Sequence, residues 1–160
     1  MPGKDDTHDP PHRPVLEPRY RLPAAELVQR AARRVVRSGK ASFPSLTEFR
    51  AALIAQLRRD EPLATIGGAR IRRLLVDVPG VRMNVRYTER RDLRPLDQCP
   101  VCSSELVPIR NRTLTGDTVT LGQRCRRCEY WTHSVRRVPV RYIFSQAGIV
   151  GRGGRRVERA

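Results

Sequence analysis

The chain has 160 residues, with 32 lysines and arginines against 16 aspartates and glutamates, which gives a formal charge of +16. Thirty of the basic residues are arginine, whose planar guanidinium suits phosphate oxygens and base edges. This balance predicts a polyanionic partner, with genome base composition as the other explanation of the arginine content. No apolar run reaches the length of a membrane span, so we expect no membrane partner.

Both ends of the chain differ in composition from the middle. The first 18 residues hold five prolines and more acidic than basic residues, which predicts a disordered lead over 1–18. Because this lead has no apolar run of the secretion-signal type, we expect a cytoplasmic protein associated with the nucleoid or the ribosome. The glycines and arginines of 151–156 predict a flexible basic tail over 147–160 that acts as an electrostatic tether.

Three amphipathic helices are predicted after the lead. The first has apolar residues at about every fourth position over 27–36, with arginines on the other side. Ser45 is the predicted cap of the second helix, and Glu48 stands three residues later, as in a capping box. Thr65 is the predicted cap of the third helix, which is expected to end at Pro79-Gly80.

A strand with a period of two follows the third helix. Val81, Met83, Val85 and Tyr87 fall on one face, and Arg82, Asn84, Arg86 and Thr88 fall on the other. Helix, short extended piece, helix, helix and strand is the element order of a winged helix, so residues 22–90 resemble a winged helix-turn-helix domain. No second wing strand is evident in 89–95, and a three-helix domain that uses one strand for sheet pairing is the alternative.

The winged-helix resemblance implies a role for five arginines. In such domains the third helix enters the major groove of DNA and the following strand leads into the wing. Arg70, Arg72 and Arg73 would then contact the groove, while Arg82 and Arg86 would contact the flanking backbone. The other interpretation is a solvated face, partly paired with Asp77 or Glu48.

The four cysteines of the chain form two C-x-x-C pairs. The first knuckle contains Cys99 and Cys102, and the second contains Cys125 and Cys128. Two such knuckles at opposite ends of a β-hairpin place four thiolates around one tetrahedral zinc ion with no open position. We therefore predict one structural zinc. Two disulfides or one redox pair are the alternatives, and an intracellular address and the lack of a βαβ pattern argue against them.

The segment around the knuckles predicts a three-stranded antiparallel zinc ribbon over 99–146. A hairpin joins the knuckles, and the alternating residues of 138–144 are the expected third strand. A linker over 91–98 would connect this ribbon to a winged-helix-like domain over 19–90. The predicted fold class is therefore α+β, with a three-helix domain followed by a three-stranded ribbon.

The ribbon resembles those of archaeal and eukaryotic transcription proteins, with an archaeal source as the corresponding expectation. In particular, the two knuckles, the polar hairpin between them and Trp131 shortly after the second knuckle resemble the ribbon of transcript-cleavage elongation factors. That family acts through an adjacent Asp-Glu pair at the hairpin tip, which delivers magnesium to the polymerase. The tip over 111–117 holds Asp117 as its one carboxylate, so the resemblance implies the fold without the cleavage activity.

Basic and aromatic residues of the ribbon complete the candidate site. Arg110 and Arg112 share a face of the hairpin, and Arg126 and Arg127 lie at the second knuckle, so all four are predicted phosphate contacts. Arg126 and Arg127 could instead offset the charge of a zinc–thiolate centre. We place Trp131 in the ribbon core, and the low aromatic content argues against a single-strand binder that relies on stacking.

These patterns predict a binding protein and not an enzyme. No Walker loop, dinucleotide fingerprint or nucleophile elbow is present. Two of the three histidines, His8 and His12, lie in the predicted disordered lead, and His133 is expected on a strand. We expect a nucleic-acid-binding, most of all DNA-binding, protein of transcription or chromosome organisation, with no small-molecule substrate. The alternatives are an accessory protein of the ribosome or another RNA machine, and a docking module on RNA polymerase.

Overall fold

The computed structural model describes residues 20–91 and 96–148. The predicted lead over 1–18 and most of the predicted tail lie outside the described residues. The helices are α1 (Ala25–Val36), α2 (Leu46–Leu57) and α3 (Gly68–Leu75). The strands are β1 (Val81–Arg90), β2 (Leu106–Arg112), β3 (Thr118–Cys125), β4 (Trp131–Thr132) and β5 (Arg136–Gln146). The α+β class, with three helices and antiparallel sheets, is confirmed.

The predicted N-cap residue is correct for α2 and wrong for α3. Ser45 caps α2, and its hydroxyl accepts a hydrogen bond from the Glu48 N–H at 3.2 Å. The Glu48 carboxylate binds Lys40. The start of α3 was predicted wrongly, because Gly67 and not Thr65 is its N-cap and accepts the hydrogen bond of the Ile71 N–H at 3.1 Å.

One apolar core joins the three helices to the strand pair β1–β5. Phe49 of α2 stacks on Phe144 of β5, with ring centroids 4.2 Å apart and planes 10° from parallel. Phe144 also exchanges two backbone hydrogen bonds with Phe43, at 2.7 and 3.0 Å. Both stacked rings are fully buried, so β5 is part of the helical core.

The pairing of β5 corrects the predicted ribbon. β5 was the expected third ribbon strand, but it pairs antiparallel with β1 over the full length of both strands, with a bulge between Arg86 and Tyr87. The physical reason is the burial of Phe144 in the helical core, which holds β5 beside β1. The third ribbon strand is instead the two-residue β4, which pairs with β3. The ribbon β2–β3–β4 is thus inserted between the two strands of one hairpin.

A glycine allows β4 to approach β3 closely. A Cβ atom built on Gly122 would lie 1.9 Å from the Thr132 carbonyl oxygen, which no side chain could tolerate. The ribbon therefore depends on the missing side chain at this position to close its short third strand against the second.

Candidate metal centre and basic surface

The two knuckles bring the four cysteine sulfurs together. The Sγ atoms of Cys99 and Cys128 are 3.5 Å apart, those of Cys102 and Cys125 are 3.5 Å apart, and all four lie within 4.8 Å of one another. A tetrahedral metal with sulfur bonds of about 2.3 Å has sulfurs about 3.8 Å apart. These separations are far above a disulfide bond length of about 2.05 Å. The four cysteines are arranged to hold one metal ion.

Backbone hydrogen bonds shape the knuckles around the sulfurs. The N–H groups of Arg127 and Cys128 donate to the Cys125 sulfur at 3.3 and 3.5 Å. In the first knuckle, the Ser103 N–H donates to the Cys99 carbonyl at 2.8 Å, and Ser103 adopts a φ of +60°. Amide donors to sulfur favour the thiolate form, which is the form that binds metal.

The pKa values of the paired thiols Cys99 and Cys128 are shifted in opposite directions. A hydrogen bond from the Cys128 thiol is the first cause that lowers the pKa of Cys99, to about 5. The same hydrogen bond, followed by burial, raises the pKa of Cys128. Ligand thiols lose their protons on metal binding, so a bound metal ion would replace this hydrogen bond between the two sulfurs.

Both knuckles dock on the C-terminal half of α3 and on the residues that follow it. Arg72 Nε donates to the Val101 carbonyl at 3.0 Å, and its guanidinium lies 4.8 Å from the centre of the Tyr142 ring. Arg127 binds both oxygens of the Asp77 carboxylate, each at 2.9 Å. Arg72, which was predicted to contact a DNA groove, therefore contacts the first knuckle of the metal centre.

The other predicted arginines divide into bound and exposed groups. Arg70 donates to the Pro23 carbonyl at 2.8 Å, so this guanidinium joins α3 to the segment before α1. Arg126 lies 3.6 Å from the Glu105 carboxylate in an exposed ion pair. The remaining five are Arg73, Arg82, Arg86, Arg110 and Arg112, which are all exposed and whose side chains have no hydrogen-bond or ion-pair partner among the described residues.

Two of the exposed arginines belong to a continuous basic surface on the β1–β5 pair. Residues directly opposite in an antiparallel pair share a face. The outer face consists of Arg82, Asn84, Arg86, Thr88 and Arg90, with Ser145, Ile143, Arg141, Val138 and Arg136 opposite them. The inner face packs against the helices and the knuckles. Among its paired residues, which the structure describes, the outer face thus carries five arginines and no acidic residue.

Arg141 is a candidate residue that sequence reasoning missed. It lies directly opposite Arg86, and within residues 20–91 and 96–148 neither guanidinium has a carboxylate partner. The alternation of residues along β5 is the only sequence pattern that marks Arg141. This pattern places Arg141 beside Arg86 only once β5 is known to pair with β1. Like charges directly opposite each other destabilise a sheet. The Arg86–Arg141 pair therefore lowers the stability of the β1–β5 pair, and the packing of the fold gives no reason for it.

Trp131 does not occupy the predicted position in the ribbon core. The indole is 47 % exposed, so that prediction is wrong. The core position beside the metal belongs to Tyr130, which is 1 % exposed and donates its hydroxyl proton to the Arg137 carbonyl at 2.9 Å. Because side chains alternate along a strand, burial of Tyr130 turns Trp131 outward.

The tip of the ribbon hairpin has no free acidic pair. Asp117 accepts a hydrogen bond from the Thr115 hydroxyl at 2.9 Å, and its N–H binds the Thr113 hydroxyl at 3.1 Å. Gly116, with a φ of +92°, completes this turn. Leu114 projects fully into solvent. The carboxylate of the tip therefore closes the turn, and the apolar side chain is the one presented outward.

Comparison with models of protein families, with curated proteins and with solved structures finds no match. The resemblances to a winged helix and to transcription-factor ribbons stay predictions. Within the part of the chain that the structure describes, no helix is long and apolar enough to cross a membrane.

Proposed function

We propose that the protein binds nucleic acid through the outer face, and that the four cysteines hold one structural zinc ion. The observation that carries this proposal is the Arg86–Arg141 pair, in which two exposed arginines face each other across the sheet without a carboxylate partner among the described residues. A polyanion relieves this repulsion because phosphate oxygens accept hydrogen bonds from both guanidinium groups.

The zinc ion contributes structure and not chemistry in this proposal. Four thiolates complete a tetrahedral shell, so no ligand position is left for water or substrate. Both knuckles contact α3, and Val85 and Tyr87 of β1 pack on the cysteine cluster. The metal therefore holds this part of the β1–β5 pair in place. The centre thus fixes the surface that carries the arginines.

Duplex DNA is the leading ligand, and the contacts favour the sheet over α3 as the docking element. The major groove is about 12 Å wide and admits a two-stranded β-ribbon as well as a helix. Of the α3 arginines, Arg70 and Arg72 are bound to backbone carbonyls of their own chain. The outer face offers Arg82, Arg86 and Asn84 without such bonds, so a role in transcription or chromosome organisation would use β1–β5.

Two further candidates rest on the ribbon hairpin. Leu114 at its tip stands between the exposed residues Arg112 and Thr118, which suits a wedge in structured RNA of a ribosome or another RNA machine. Val119 and Leu121 are also exposed, at 39 % and 38 %. An exposed apolar patch of this kind suits docking on a protein such as RNA polymerase.

A salt titration with matched variants tests the proposal. The affinity of the full chain for labelled duplex DNA should fall steeply with salt, and the double variant R86A/R141A should lower the slope of log K against log salt by about 2. The control variant R30A/R59A removes the same charge from exposed positions away from the sheet, and it should leave the slope within experimental error.

Two results would refute this proposal. The first is an affinity that barely changes between low and moderate salt, and the second is an equal effect of the two double variants. Competition between duplex DNA and structured RNA of equal charge decides between the leading ligand and the RNA alternative. A Leu114→Ala variant that loses RNA affinity alone would favour the hairpin wedge.

A further inference from the structure

An open cleft runs along the free edge of β1, between that strand and the second knuckle. Its volume is about 1070 Å³, which exceeds that of many sites for drug-sized ligands. Arg82 and Asn84 of the outer face line it on one side, and Tyr87, Trp131 and Arg137 line it further along. The cleft therefore connects the proposed phosphate-binding surface to the one tryptophan of the chain.

Three side chains form a stacked column in this cleft. The Arg137 guanidinium lies 4.1 Å from the centre of the Tyr87 ring and 4.6 Å from the centre of the Trp131 ring. The indole is thus the outer layer of the column, with His133 edge-on to it at 5.9 Å. Arg137 covers one side of the indole, and 47 % of Trp131 is exposed, so part of this side chain is accessible to a flat aromatic ligand.

Hydrogen-bonding groups of the β1 backbone also face the cleft. The N–H and C=O of Phe144 bind Phe43, so they point away from β1. Met83 of β1 lies directly opposite Phe144. In an antiparallel pair, both residues of such a non-hydrogen-bonded position turn their backbone groups away from each other, so those of Met83 point away from β5. Within the described chain these groups of Met83 bind no other segment, so they are open to a ligand in the cleft.

One arginine beside the indole can bind a phosphate. Arg124 is the cross-strand partner of Trp131 in the β3–β4 pair, so both side chains lie on one face of the ribbon. Two carboxylates line the same cleft, those of Asp77 and Glu129. Asp77 is already bound by Arg127. An exposed arginine beside an exposed indole is the arrangement that binds a phosphate and the adjoining base.

We propose that this cleft binds an unpaired nucleotide of a single-stranded nucleic acid, with its base stacked on Trp131 and its phosphate near Arg124. The proposal rests on nucleic-acid binding by the outer face and adds the class of ligand, a strand with an unpaired base at the edge of β1. One stacking ring serves one base, so this mode is consistent with the low aromatic content of the chain.

The single tryptophan provides a direct measurement of binding. Selectively excited Trp131 fluorescence in the full, metal-loaded chain should be quenched saturably by oligothymidylate or oligouridylate, because a stacked base quenches indole emission. A blunt duplex of equal length should bind without this quenching. The Trp131→Leu variant should bind the single strand about 5- to 100-fold more weakly and the duplex within about twofold of wild type. Trp131→Phe should retain part of the affinity.

The controls separate this inference from the proposed function. Tyr20→Leu alters another exposed aromatic ring and should leave binding of both ligands unchanged. Duplex binding that responds to R86A/R141A, together with single-strand binding that is equal in wild type and Trp131→Leu, would overturn the stacking site alone. If the chain binds neither the single strand nor the duplex, both proposals are overturned. Quenching by oligouridylate without quenching by oligothymidylate, or the reverse, supports the site and shows that it distinguishes the two strands by the sugar or by the thymine methyl group.

Discussion

The helical core and the metal cluster of this chain are stabilised in different ways. Among the described residues, the helical core contains 16 buried residues, and all of them are apolar. Within the same part of the chain, the buried cluster at the knuckles contains six residues, of which three are cysteines. The larger set can stabilise itself by burial of apolar surface, whereas the smaller set needs a metal ion. Met83 and Tyr142 contact both clusters, so the two regions are joined through the β1–β5 pair.

Removal of the metal should have the largest effect and should separate the two regions. Structural zinc contributes about 10–16 kcal/mol to the folding of isolated zinc-finger peptides at neutral pH. We expect a strong chelator, or the substitution Cys125→Ser, to abolish amide protection in β2, β3 and β4 while α1 and α2 stay protected. Hydrogen exchange followed by NMR measures both regions at once. Unchanged protection of β2 and β3 after complete removal of the metal would contradict this division.

Loss of the aromatic stack in the helical core should have the next largest effect. Phe144→Ala removes a fully buried ring, and such substitutions cost about 3–5 kcal/mol. Urea denaturation should show this loss in the free energy of unfolding of the whole chain. Val140→Ala on the same strand alters a side chain that is 60 % exposed, and it should change stability by less than about 0.5 kcal/mol. Similar losses in both variants would argue against a core that includes β5.

A smaller and more local effect is expected at the contact between β3 and β4. Gly122→Ala places a Cβ against the Thr132 carbonyl, so β4 must move away, at a cost of about 1–3 kcal/mol. The helical core should stay intact, and the emission of Trp131 should shift because this residue lies in β4. Thr120→Ala on the exposed surface of β3 is the control. An unshifted emission spectrum in Gly122→Ala would show that β4 does not depend on this close approach.

The smallest expected effect is a gain in stability. Arg86→Ala removes the like-charge contact with Arg141 and should stabilise the sheet by about 0.2–1 kcal/mol. The same variant should bind nucleic acid more weakly, so stability and affinity change in opposite directions. Arg86→Lys keeps the charge and should show no comparable gain. Thermal unfolding at low salt is the most sensitive measurement, because salt screens exposed charges.

Local features of the molecule were predictable from the sequence, and the long-range pairing was not. The helices α1 and α2, the strand β1 and the cysteine spacing each follow from a pattern within a few residues. The partner of β1 lies on the far side of an inserted ribbon, and no local pattern encodes that pairing. For the same reason, the sequence does not predict that Arg141 lies beside Arg86.

Some side chains have other contacts than those predicted, for reasons that the periodicity of the sequence does not reveal. Arg72 has the helical position of a groove-facing residue, but the first knuckle packs against it and accepts its hydrogen bond. Trp131 has the sequence position of a core residue beside a metal site, but Tyr130 fills that core. In both cases the deciding contact comes from a segment far away in the sequence or from competition with a neighbour.

The insertion of the ribbon between β1 and β5 also has a consequence for the order of folding. The two strands must find each other across the whole segment between Arg90 and Arg136, and closing a long flexible loop slows the formation of such contacts. A ribbon that is already folded around its metal shortens this search, because its knuckles hold the ends of the segment close together. Metal loading would then set the rate at which the strands pair, so refolding should be slow without zinc and fast with it.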